Sequence, residues 1–182
     1  MAKYFFLLFF LLFGFAANAQ PADALVSFNL WQAEVLKAGM GALAAWALLN
    51  IIIGSFKLTK ASRSKRYFYQ MNIYWNIVNI LIAGTFLYFL LTEDVTNTTL
   101  AESLRQHLWY KKVLYANVGL DVSYIILGAY LKERSRNIAK TEQYLGWGES
   151  LVLQGVVLFI LDLVLTVLLE LPSESLLSLI QA

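Results

Sequence analysis

Four stretches of this chain stay apolar for about twenty positions each, with polar residues reduced to isolated amides and carboxyls inside them. They are Val35–Phe56, Tyr67–Leu91, Val113–Leu131 and Trp147–Leu169, and none contains proline. Crossing the hydrocarbon layer of a bilayer takes about 20 helical residues. The pattern therefore predicts an all-α fold, a four-helix transmembrane bundle over residues 35–171. The two prolines fall outside it, at Pro21 and Pro172.

A shorter apolar run, Tyr4–Ala17, follows Lys3 and ends at Ala17-Asn18-Ala19. A basic start, a short apolar run and an A-x-A site are the marks of a cleavable signal peptide. Residues 1–19 are expected to be that signal, 20–34 an exported N-terminal segment and 172–182 an exported tail. No cysteine follows the site, which excludes lipoprotein processing.

The connections set the orientation. Lys57–Arg66 holds five basic residues and no acid, and Lys132–Gly146 has Lys132, Arg134, Arg136 and Lys140 against Glu133 and Glu142. Basic loops stay in the cytoplasm. The intervening Thr92–Lys112 is more balanced, so it and both mature termini are expected on the exported side. Within it, Thr99-Leu100-Ala101-Glu102 fits a capping box. Leu100, Leu104 and Leu108 then repeat at helical spacing, which predicts a short helix lying on the membrane surface. His107, in the same loop, reads as a solvated side chain.

Composition narrows the chemistry. Of 182 residues, 59% are hydrophobic and 14% charged, against about a quarter charged in an average soluble domain. With no cysteine, thiol catalysis, disulfides and Cys-ligated metals are excluded. One histidine and a net charge of +2 argue against a His-rich metal site and against nucleic acid. No cofactor is expected, and the partners expected are the lipid bilayer and a second copy or another membrane protein.

Polar groups inside the spans are costly, so they mark candidate sites. On the second span Asn72, Asn76 and Asn79 are spaced i, i+4, i+7, which puts three carboxamides on one stripe. The third repeats that spacing with Asn117, Asp121 and Tyr124, and Gly128 continues the line. On the fourth, Gln154 and Asp162 share a face; the first offers only Asn50 beside small residues from Ala38 to Ala45. Counting about 1.5 Å per residue puts Asp121 and Asp162 at similar depths near mid-membrane. These eight residues, Asn72, Asn76, Asn79, Asn117, Asp121, Tyr124, Gln154 and Asp162, form the candidate intramembrane polar site. Two close carboxyls there would share a proton and could load or release a proton or cation. The same groups also serve as interhelical hydrogen-bond glue.

Gln70-Met71-Asn72 with Trp75, Asn76 and Asn79, then Gly119-Leu120-Asp121 with Tyr124 and Gly128, then Gly146, Gly148, Gln154, Gly155 and Asp162 resembles an uncharacterised family of small four-helix bacterial integral membrane proteins with a signal peptide. The resemblance implies a bacterial envelope setting and, with the export signal, the inner membrane, so that the exported side holding both mature termini is the periplasm. It brings no assigned activity, so no catalytic residue is carried over from it. The expected role is a non-enzymatic structural or interaction component of the inner membrane, the alternative a small proton- or cation-linked transporter or channel subunit using Asp121 and Asp162.

Overall fold

The computed structural model describes residues 24–171, so the expected signal peptide, residues 20–23 and the tail 172–182 lie outside the described residues. Within them the chain forms four helices: α1 (Ala24–Leu58), α2 (Arg63–Thr92), α3 (Leu100–Arg134) and α4 (Thr141–Glu170), with a 3₁₀ turn at Ser135–Asn137. The fold is an all-α, up-down-up-down bundle. Short connections force each helix antiparallel to the next.

Local chemistry fixes the turn between α2 and α3. Asp94 accepts hydrogen bonds from the Thr96 hydroxyl (2.6 Å), the Thr96 amide (3.0 Å) and Asn97 Nδ2 (2.7 Å), which hold its carboxyl below the ordinary range. The capping box is present with both arms: Glu102 Oε2 accepts from Thr99 N at 3.1 Å, and Thr99 Oγ1 accepts from Glu102 N at 3.3 Å. The Thr99 amide and then its hydroxyl lower the Glu102 carboxyl in the same way.

The helix this box starts does not lie on the membrane surface. It runs on without a break into the third apolar stretch, because the buried stripe His107, Leu114, Asp121 and Gly128 continues at seven-residue spacing across the boundary and no Pro interrupts it. α1 likewise begins at Ala24, inside the segment expected to be a mere exported lead-in. Both helices have 35 residues, about 50 Å of length, well beyond the ~30 Å of hydrocarbon. Their extra turns pack together at the end opposite the basic connections.

Side-chain distribution is inverted relative to a water-soluble protein. Leu81 and Ile126 are each 64% exposed and Leu48 and Ile52 about half, whereas Asn76, Gln154, Ser103 and Ser150 are completely buried. An apolar outer surface with polar groups turned inward matches a hydrocarbon surrounding. All four helices are long and apolar enough to cross a membrane. An apolar cluster of Val35, Leu36, Leu90, Leu114, Leu165 and Leu169 draws on every helix and lies toward the end where α1 begins.

Candidate functional site

α4 is the hub of the bundle, packing on α3 along one side and on α2 along the other. The α3–α4 contact has a seven-residue repeat. His107, Leu114, Asp121 and Gly128 are buried on α3, and Gly148, Gly155, Asp162 and Leu169 on α4. Such spacing keeps one seam facing its partner along the whole length. Glycines bring the two backbones together: a Cβ on Gly128 would lie 2.8 Å from Gly148 O, and one on Gly148 2.6 Å from Gly128 O. At the α2–α4 crossing, Gly146 fits the same way against Ser64 and Phe68 backbone.

Asp121 and Asp162 meet in this seam. Asp121 stands opposite Gly155, whose Cβ would fall 3.0 Å from Asp121 O, and Asp162 follows Gly155 by seven residues on α4. Side chains tilt toward the N-terminus of their own helix. The helices being antiparallel, the two carboxyls lean toward each other into one layer. They face each other within hydrogen-bonding reach, with the Asn117 side chain beside Asp162. Both are more than nine-tenths buried, and Asp121 Oδ2 has no hydrogen-bond partner. Thr166 Oγ1 donates to the Asp162 carbonyl oxygen at 2.7 Å, one helical turn along α4 from Asp162.

The amides build a second assembly, across α1, α2 and α4. Trp46 Nε1 donates to Gln154 Oε1 at 3.1 Å; Gln154 Nε2 donates to Asn72 Oδ1; Asn72 Nδ2 donates to Asn50 Oδ1 at 2.8 Å; and Asn50 Nδ2 returns to the Trp46 carbonyl oxygen at 2.8 Å. Four side chains from three helices thereby close a ring. Asn76 Nδ2 donates to the Asn72 carbonyl oxygen at 2.7 Å, and Asn79 reaches Asn76 at 3.5 Å, extending the ring along α2. Tyr124 joins neither assembly; its ring meets Trp75 edge-on, 4.7 Å between centroids, bridging α2 and α3.

The eight expected residues thus divide into an amide ring with Asn72, Asn76, Asn79 and Gln154, a carboxyl pair with Asn117, Asp121 and Asp162, and an aromatic contact at Tyr124. Trp46 is the member that sequence reading missed, because an indole at the middle of an apolar helix reads as packing. A third polar group lies outside the expected site. His107 is not solvated: it is 3% exposed, its Nδ1 is 2.7 Å from Gln32 Oε1, and it meets the Phe28 ring edge-on at 5.3 Å. Asn29 Nδ2 donates to Val95 O at 3.2 Å, and Gln106 Nε2 to Glu93 Oε1 at 2.7 Å. Asn29, Gln32 and Leu36 share one helical face, but Asn29 and Gln32 lie in the exported N-terminal segment 20–34, outside the expected spans. A small cleft between Asn29, Glu93, Gln106 and Tyr110 opens there.

A bundle of four long apolar helices around buried amides and carboxyls is a multi-pass membrane protein. The chain belongs to a family of unknown function, DUF6992, whose model matches residues 42–163 and so takes in the amide ring and the carboxyl pair. No curated protein and no solved structure matches it.

Proposed function

We propose that this protein is a non-enzymatic structural or interaction component of a bacterial inner membrane, inserted with the help of a cleaved signal and with both mature termini on the exported side. The closed amide ring carries the reading. Its donors and acceptors answer one another across α1, α2 and α4, as expected of groups that fix helix register rather than wait for a substrate. The orientation is supported by the two basic connections lying at one end of the bundle, where Lys65 pairs with Glu149 at 2.7 Å and Arg63 with Glu142 at 3.7 Å. Crosslinking in intact cells followed by purification tests the role: a stoichiometric membrane partner or self-pair is expected. Proteoliposome ion flux clearly above that of empty vesicles would overturn the scaffold reading. Alkaline phosphatase fused after residue 63 should be inactive; an active fusion reverses the orientation.

The carboxyl pair favours a second reading, a proton- or cation-linked element. Two buried carboxyls facing each other, one with an oxygen lacking any donor, are more than register requires. In that case Asp121→Asn or Asp162→Asn abolishes a pH- or ion-dependent flux while the bundle still folds.

A further inference from the structure

The surroundings of the Asp121–Asp162 pair differ on its two sides. We infer that the pair takes up a single proton, and that the proton reaches it from the end where α3 begins and α4 ends, the exported side in the orientation proposed above. This inference rests on the proton- or cation-linked reading of the pair.

The ligand follows from hydrogen-bond chemistry. Ionised carboxylates only accept, so two of them cannot bond each other. Asp121 Oδ2 is buried without a donor next to the Asp162 carboxyl. One proton, added to the doubly ionised pair, forms an O–H on one carboxyl that donates to the other; release breaks that O–H and returns the proton by the same route. A metal ion fits less well. Hard cations take six or more oxygens, and no group of three or more His, Cys, Asp or Glu occurs among the described residues.

The route follows from packing. Toward the basic connections, α3 and α4 touch backbone to backbone at Gly128 and Gly148, and the Trp75–Tyr124 contact fills the space toward α2. Toward the other end, Asp162 is two helical turns from Glu170, about 12 Å, and the Glu170 side chain is 41% exposed. Asn117 and Thr166 are polar steps at that side of the pair. The barrier between is made of Leu114, Leu165 and Leu169. Side chains hop between rotamers, whereas packed backbone does not part without separating the helices. The titratable groups at the mouth are Lys111 and Glu170, paired at 2.7 Å, Tyr115, which donates to Glu170 at 2.9 Å, Tyr110, packed on the leucine barrier, and Glu93, just past the end of α2; His107 faces Gln32 of α1 one turn away.

The test uses the full chain in vesicles in one orientation, with the infrared band of protonated carboxyl followed while pH is stepped on one side and clamped on the other. A band altered by both Asp121→Asn and Asp162→Asn is expected to follow the pH on the Glu170 side and to ignore the other side. A band that follows the basic side overturns the route but keeps the proton-linked reading. A band displaced by sodium or lithium at constant pH overturns the proton as ligand. With no pH-sensitive band from either aspartate, the proton-linked reading itself falls. Thr166→Val and Lys111→Gln leave both carboxyls in place and are expected to change the rate of response severalfold; unchanged rates in both count against the route even if the asparagine variants do not fold.

Discussion

Two glycines on α3 should respond in opposite ways to the same added methyl group. At Gly128 a Cβ would sit 2.8 Å from each of Gly148 O, Val152 N and Val152 Cγ2, whereas at Gly119 nothing lies within 4 Å. Ordinary carbon contacts are about 3.5–4.0 Å. Gly128→Ala must therefore push α4 away by roughly 0.7 Å or more, and two of the three obstacles are backbone atoms that no rotamer change removes. Overpacking of this kind costs about 1–3 kcal/mol. Gly119→Ala gains helix propensity, up to about 1 kcal/mol, with no steric cost. Gly148→Ala meets Gly128 O at 2.6 Å and Lys132 N at 2.9 Å, so it should resemble Gly128→Ala. One separation of the helices relieves both, so the double variant should cost less than the sum. Unfolding of the full chain in bicelles provides the measurement. If Gly128→Ala is as benign as Gly119→Ala, the backbone seam does not exist as described, and the inference that it closes one side of the carboxyl pair goes with it.

Asn72→Leu removes one partner from both Asn50 and Gln154; at about 0.6–1.7 kcal/mol per membrane hydrogen bond, the loss should be roughly 1–3 kcal/mol in the same assay, and no loss would mean that the ring is incidental. His107→Leu leaves Gln32 Oε1 buried without its ring partner, which should cost about 1–3 kcal/mol and raise amide exchange in residues 24–34, an effect absent from exposed Arg105→Gln. Hydrogen bonds lower the carboxyls of Asp94 and Glu102, so the unfolded turn binds more protons. Its stabilisation is then full above the ordinary values of 3.8 and 4.5 and is lost as pH falls through the lowered ones. Protection of the amides of residues 93–102, taken relative to the base-catalysed intrinsic exchange rate at each pH, should fall only on acidification, and a fall on going alkaline would contradict the assignment.

Much of the bundle was legible because a bilayer imposes a coarse demand. An apolar length of about 20 residues and basic connections need no knowledge of neighbours, and the capping box at Thr99–Glu102 is local chemistry. The same locality explains the failures. Whether the helix after Thr99 turns onto the surface or continues upright depends on what its inner face meets, and it meets α1, through His107 on Gln32 and Phe28. A histidine in a stretch of mixed charge looks solvated until a second helix covers it.

The sequence by itself determined four apolar helices, their alternation and a stripe of amides or carboxyls on three of them, because period and composition are properties of one chain segment at a time. Only tertiary structure decided which stripe faces which. It placed Gln154 with Asn72 rather than with Asp121, tied Asn50 and Trp46 into the ring, and set Asp162 against Asp121. The reason is rotation and offset between antiparallel helices, fixed here by glycines that let backbones touch at Gly128–Gly148 and Gly155–Asp121. No single helix carries that offset in its own pattern.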